Sequence, residues 1–249
     1  MKRLLILFAV LLLVGCAGSK KTVCDPSSPD CAAEVAGAVP QDSLRAKFQL
    51  TLTVEDGKTQ ELDAVLFSVP GKRYRLELTG PLGIGVASLL WQESGWQMVF
   101  PTEKLYLKGN GYMVGLLMDN TLPLVHIHQV TALFEGKLLP EKFEVTSTQD
   151  SAGYKVIRGK ENSGRLFTYG EKEGAIAWLA RPGRDKGEEV LKFAEYKSFE
   201  NVNMPSHITF EQGGKEFLDI RIKKITHGKP FSGGTWRLNI PNTYKPVGG

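Results

Sequence analysis

The chain is short of the residues that most often carry chemistry. It holds 3 cysteines and 4 histidines in 249 residues. It has no Gly-x-Ser-x-Gly elbow for a serine hydrolase, no His-Glu-x-x-His for a metalloprotease and no phosphate-binding loop. An enzyme would have to assemble its site from residues far apart in sequence, and a non-enzymatic role is expected. The carboxylate pair Glu188-Glu189 sits in charged loop sequence and reads as solvated surface. Charge of one sign is not in excess either. Lys and Arg number 31 against 27 Asp and Glu, and two of the cations, Lys2 and Arg3, precede an apolar run. Beyond that run the chain is nearly balanced, without the clustered basic patch that nucleic acid requires, so no nucleic-acid partner is expected. Long apolar runs are also missing. The longest, residues 4–14, has 11 residues, and a helix needs about 20 to cross a bilayer.

That run explains itself by its flanks. Two cations, a short apolar stretch and the small residue Gly15 before Cys16 form a secretory signal. The ending Leu13-Val14-Gly15-Cys16 resembles the bacterial lipoprotein signal, in which the cut falls before the cysteine and the cysteine is acylated. The expectation is a signal over residues 1–15 and a covalent lipid on Cys16. Two or more acyl chains anchor stably, because each buried methylene contributes about 0.8 kcal/mol. By the same resemblance, Ala17-Gly18 in place of an aspartate allows onward sorting. The expected address is the outer membrane, anchored at Cys16 and facing the periplasm.

Cys24 and Cys31 remain, seven positions apart in a Pro- and Asp-containing loop. An oxidising compartment favours their pairing as a disulfide, and the alternative is two free thiols. With no histidine nearby, a metal is not expected there. Residues 16–43 are rich in Ala, Ser, Pro, Asp and Gly, without apolar period, and read as a tether carrying the lipidated Cys16.

The folded part is expected over residues 44–242. Leu44, Ala46, Phe48, Leu50, Leu52 and Val54 alternate with polar residues, the mark of a strand with one dry face. Residues 62–69 form a second strand, apolar on both faces. Further short strands are expected at 73–79, 86–92, 96–100 and 105–107, with turn signals between them. The loop Gly80-Pro81-Leu82-Gly83-Ile84-Gly85 carries two aliphatic residues among turn residues. The period then lengthens. Residues 112–118 and 122–134 read as two short helices, with Thr121 as N-cap, Pro123 in the first turn and Gly136 as the stop. Within a helix, His126 and His128 would lie about 200° apart and diverge, which argues against a shared metal. His207 and His227 look isolated. Strands resume at 143–147, 154–158, 165–169, 175–180, 190–197, 207–211, 216–225 and 235–240. Residues 180–187 read as an elongated charged hairpin, and no internal repeat is visible.

The fold class is therefore mainly β, an open antiparallel β-barrel or half-barrel of about 11–12 strands. A short helical lid would lie over its concave face. The apolar interior is either filled by side chains or open to a greasy ligand. Phe48, Leu76, Trp91 and Trp96 on the strands, and Met113, Leu117, Ile127, Val130 and Phe134 on the helices, are candidates to line a cavity and its lid. Each is equally compatible with ordinary core.

Three segments carry a resemblance when taken in order. They are Tyr74-Arg75-Leu76-Glu77-Leu78 running into Gly80-Pro81-Leu82-Gly83, Leu122-Pro123-Leu124 leading to Leu133-Phe134-Glu135-Gly136, and Met204-Pro205-Ser206-His207-Ile208 with Leu218-Asp219-Ile220-Arg221-Ile222 after it. Behind a lipoprotein signal they resemble the LolB family, within the LolA/LolB lipoprotein localisation factor superfamily. The resemblance implies a half-barrel whose cavity takes the acyl chains of lipoprotein cargo from a soluble periplasmic LolA-like carrier and releases them into outer-membrane lipid. It implies no cofactor and no metal. It also implies a projecting loop, matched here by Pro81, Leu82 and Gly83, that helps push cargo into the membrane. If Leu82 instead packed at a barrel corner, that role would be lost. The chain departs from the family in its length, in the Cys24/Cys31 loop and in the charged hairpin. The alternatives are an assembly lipoprotein that uses the sheet as a protein-binding surface, or a carrier of another lipid.

Overall fold

The structure is a computed structural model that describes residues 43–53, 57–114, 125–183 and 187–247. The signal, Cys16, Cys24, Cys31 and the tether up to residue 42 lie outside the described residues. So do Leu117, the Thr121 cap and Leu122-Pro123-Leu124.

Sixteen strands and one helix are described. The first meander runs β1 (Leu44–Thr53), β2 (Thr59–Val69), β3 (Arg73–Thr79), β4 (Gly85–Gln92), β5 (Gly95–Phe100) and β6 (Leu105–Gly109). A small ribbon of β7 (Met113–Val114) and β8 (Val125–His126) leads into helix α1 (Ile127–Phe134). The second meander runs β9 (Phe143–Ser151), β10 (Tyr154–Glu161), β11 (Leu166–Lys172), β12 (Ala175–Pro182), β13 (Glu188–Phe199), β14 (Val202–Gln212) and β15 (Lys215–His227). A last strand, β16 (Lys245–Pro246), lies parallel to β6 at one edge.

Fourteen of these strands form one open sheet, and β9 is its other edge. The two meanders join where β1 pairs with β15, from Leu44 opposite His227 to Leu52 opposite Leu218. The expected half-barrel is thus present. Its curvature has visible sources. Register shifts place an extra residue on one strand of a pair at Lys223 and Phe217 in β15, Val86 in β4, Thr146 in β9 and Ala177 in β12, and each bulge bends its strand. At three places an aromatic ring lies across the glycine directly opposite it: Trp96 over Gly109, Phe167 over Gly159 and Trp178 over Gly170. A Cβ on those glycines would sit 2.3–2.5 Å from ring atoms, so only glycine permits the approach. Hairpins of the second meander turn through left-handed residue pairs, such as Ala152-Gly153 and Gly213-Gly214, the turn form that matches strand twist.

The alternation read in β1 is observed: Leu44, Ala46, Phe48, Leu50 and Leu52 are all buried on one face. β2 is apolar on both faces because both are covered. Its inner residues Leu62, Ala64 and Leu66 join the main core. On the outer face, Phe67 and Val69 pack with Leu90, Phe231, Trp236 and Leu238. The chain after β15 thus forms a strap over the convex face. Arg75 Nη1 donates to the carbonyls of Gly234, Thr235 and Arg237, and the Arg73 guanidinium lies 4.4 Å from the Trp236 ring centre.

Two expectations are corrected. Residues 235–240 are not a strand; a 3-10 turn occupies Gly233–Trp236, and its carbonyls go to Arg75 instead of a ladder. The segment beginning at residue 112 is not helical where it is described, since Met113–Val114 pairs with Val125–His126. The helix starts at Ile127 and ends at Phe134, with Gly136 as the stop, as expected. There the Gly136 N–H reaches the Leu133 carbonyl (3.2 Å) and the Lys137 N–H the Ala132 carbonyl (3.0 Å), which satisfies the last carbonyls of the turn.

Candidate functional site

α1 has 8 residues and is therefore about 12 Å long. The concave face it lies on belongs to strands spaced about 4.8 Å apart, so a helix this short covers only a few of them. It sits on the first meander. Phe134 meets Phe48 at a ring separation of 4.7 Å, and Ile127 and Phe134 are buried. Over the second meander the helix does not fill the space. A cavity of about 510 Å³ remains between α1 with its adjoining loop and the inner face of β12–β15. Its sheet wall is Leu179, Leu191, Ile208, Phe210, Leu218 and Ile220; Val130, Leu133 and Leu138 face them from the helix side. This volume lies within the range of ligand pockets, roughly 300–1,000 Å³. On the scale at which roughly 150 Å³ holds a benzene, it has room for roughly 20 carbon atoms.

The cavity is polar at both ends. At the end of the sheet where β2 turns into β3, it meets Tyr74, His126 and His128. The Tyr74 hydroxyl accepts the Gly71 N–H at 2.8 Å and lies 2.9 Å from His128 Nδ1. Burial holds the His128 pKa below the usual imidazole range, partly opposed by Glu135. The expected divergence of His126 and His128 is corrected. His126 is the residue before the helix, with extended φ −83 and ψ 111, so helical spacing does not apply to it. The two rings are 5.8 Å apart, and both lie against Tyr112. Trp91 completes this aromatic group at 4.9 Å from His128 and donates its Nε1–H to the Gly111 carbonyl.

At the opposite end of the sheet four charged side chains face inward: Glu161, Arg165, Arg181 and Glu189, from β10 across to β13. Arg181 lies 3.7 Å from Glu161, and Arg165 3.8 Å from Glu189. Burial lowers the Arg181 pKa; the two glutamates oppose that shift and Arg165 adds to it.

The loop of Pro81, Leu82 and Gly83 projects from this same end, between β3 and β4. It is a 3-10 turn in which Leu82 adopts φ 60 and ψ 17. Leu82 is 98% exposed and Ile84 57%. Leu82 therefore does not pack at a corner.

Of the remaining sequence candidates, Val130 lines the cavity. Phe48, Leu76, Trp91, Ile127 and Phe134 lie in the packed core instead, and Trp96 packs against it. Met113 belongs to the β7 ribbon. The lining residues of β12–β15 were not singled out by sequence, because alternation shows which residues face inward and not which will lack a cover. One signal was available. Arg181 and Glu189 share the parity of the inward residues Leu179 and Leu191, which marks them as charges on the dry face. His207 and His227 are not isolated: His207 contacts Asp219 at 2.5 Å and His227 contacts Glu200 at 3.3 Å, both partly exposed. Among the described residues no group of three or more His, Cys, Asp and Glu is placed to hold a metal ion.

No family profile and no curated protein sequence matches this chain. Solved structures do. A LolA superfamily protein from Nitrosomonas europaea matches with a TM-score of 0.52 at 9% identity, over 80% of this chain and 91% of its own. A domain described as an outer membrane lipoprotein-sorting protein domain, from Vibrio parahaemolyticus, matches with a TM-score of 0.53 at 11% identity, over 83% and 94%. A DUF1329 family protein from Desulfovibrio piger matches with a TM-score of 0.54 at 9% identity, over 84% and 95%. At these identities the likeness is one of fold.

Proposed function

We propose that this chain is a lipid-anchored receptor of the LolB kind, which holds acyl chains non-covalently between α1 and the inner face of β12–β15. The observation that carries this reading is the apolar cavity of about 510 Å³ on the concave face of a sheet whose other half is packed. The fold shared with a LolA superfamily protein and with a lipoprotein-sorting domain supports it. In this reading Cys16 carries the lipid anchor in the outer membrane. Cargo arrives from a soluble periplasmic carrier and leaves past Leu82, whose exposed aliphatic side chain would otherwise be a liability. No bond is made or broken.

Purified chain carrying Cys16→Ala is expected to raise the fluorescence of a lipid probe and to release it to a palmitate-like competitor. Failure to bind any acylated ligand removes the carrier role and leaves the protein-docking alternative. Leu82→Glu is expected to leave ligand binding intact and to slow transfer to liposomes. An unchanged transfer rate removes the loop from the mechanism.

A further inference from the structure

The inward charges at one end of the cavity are an anomaly in an otherwise greasy wall. Charged side chains rarely face a sheet interior unless something there needs them. Arg181 is the most enclosed of the four, with its side chain 15% exposed. Its Nε is buried and has no hydrogen-bond partner. Neither ion pair occupies the guanidinium donors closely, since 3.7 Å and 3.8 Å exceed the roughly 3.2 Å limit of a formed hydrogen bond. A buried donor left unmatched is costly, and native structures rarely leave one.

We propose that Arg181 is the seat for the head of the bound acyl chain. A carbonyl or carboxyl oxygen accepts a hydrogen bond from the Nη groups of the Arg181 guanidinium, which no formed hydrogen bond to Glu161 occupies, and the alkyl tail runs from there along Leu179, Leu191 and Ile208. The inference rests on the acyl-binding reading and adds to it an orientation and a chemical requirement.

Three observations converge on this. The row holds two arginines and two glutamates, so it is electroneutral and admits a neutral ester oxygen without leaving an unbalanced charge. The other charged side chains lining the cavity, Glu135, Lys137 and Glu141, lie on the helix side. There Lys137 pairs with Glu135 at 3.0 Å and with Glu141 at 3.8 Å. And the row stands at the end of the sheet from which Leu82 projects, so a chain entering tail-first from a membrane touched by that loop comes to rest with its head at Arg181. The same oxygen chemistry belongs to a free fatty acid and to an esterified lipid.

The test uses the full chain carrying Cys16→Ala, so that no covalent lipid competes, and displacement of a fluorescent lipid probe. Laurate, methyl laurate and oxygen-free tridecane are compared. The wild-type cavity is expected to prefer at least one oxygen-bearing ligand over tridecane by about tenfold or more, where tenfold corresponds to about 1.4 kcal/mol. Arg181→Lys keeps the charge and removes the guanidinium donors. It is expected to bind tridecane as before and to lose the preference, whereas Arg165→Lys keeps it. Stronger binding of laurate identifies a free carboxylate as the natural head; stronger binding of the methyl ester identifies an esterified lipid. Equal binding of tridecane and the oxygen-bearing ligands overturns the inference while leaving the cavity's acyl-binding role intact. So does a preference that survives in Arg181→Lys. If Arg181→Lys does not fold, the three-ligand comparison on the wild-type cavity decides alone. Binding of none of the three overturns both proposals.

Discussion

The two halves of the sheet are built from similar strands and end in different states. In the first meander α1 packs on the concave side, and the strap with Phe231 and Trp236 covers part of the convex side, over Phe67, Val69 and Leu90. In the second, the concave side encloses a cavity and the edge strand β9 is exposed along nearly all its length. Alternating apolar residues therefore do not decide whether a sheet face becomes core or pocket. What lies on top decides it, and here an eight-residue helix packs on one half and covers the other only in part.

The contrast predicts unequal responses to substitution. Phe134→Ala removes the ring that meets Phe48 in the packed half. It is expected to cost about 3–5 kcal/mol of stability, measured by denaturant unfolding, because neighbouring residues cannot collapse into the space. A loss below about 1 kcal/mol would show that the packed half is looser than its burial implies. Leu191→Trp acts on the other half. It should fill the cavity and weaken acyl-probe binding by about tenfold or more, a change of about 1.4 kcal/mol, with the melting temperature nearly kept. A large drop in melting temperature instead would mean that the cavity wall is as tightly packed as the first meander.

Leu82→Asn tests the loop. Leucine at φ 60 is held in a conformation that costs an ordinary side chain roughly 1–2 kcal/mol, and asparagine tolerates it. The variant is expected to gain up to about 1 kcal/mol in stability and to lose transfer efficiency. An unchanged stability would indicate that Leu82 relaxes out of this conformation in solution.

The smallest effect is one of pH. Burial lowers the His128 pKa in the folded chain, so the unfolded chain binds more protons in the interval below the ordinary value. This contribution is complete above about pH 6.5 and is lost as pH falls through that interval. Acidification should lower hydrogen-exchange protection in α1 and β3, which the Tyr74–His128 bond joins, before that of β12. His128→Phe should flatten the dependence. Equal loss of protection in β12 would make the two halves a single cooperative unit.

Much of this architecture could be read from period two. The alternation in β1 and the turn signals between the runs marked the strands, and a helical lid inserted mid-chain was expected where α1 lies. The errors share one cause, the dependence of local structure on a distant partner. Tyr112 and Met113 carry helical spacing, yet β8 draws Met113–Val114 into a ribbon. Residues 235–240 alternate like a strand, yet Arg75 claims the carbonyls there. The same dependence hid the cavity, because nothing local to Leu191 or Ile208 records how far a helix more than 50 residues upstream will reach. Only the parity of Arg181 and Glu189 carried a trace of it.

The pairing of β1 with β15 has a consequence for the order in which the molecule can be completed. Thr226 meets Arg45 across 181 residues, so the seam at the centre of the sheet unites the earliest strand with the latest long one. A chain emerging from the ribosome can form its first meander early, but that meander keeps one flank open until nearly everything else has been made. Shortening the chain from its C-terminal side past residue 215 would not trim the sheet at a border; it would divide it through the middle. Closure of this kind is slow, because the pairing it waits for is among the most distant in the chain.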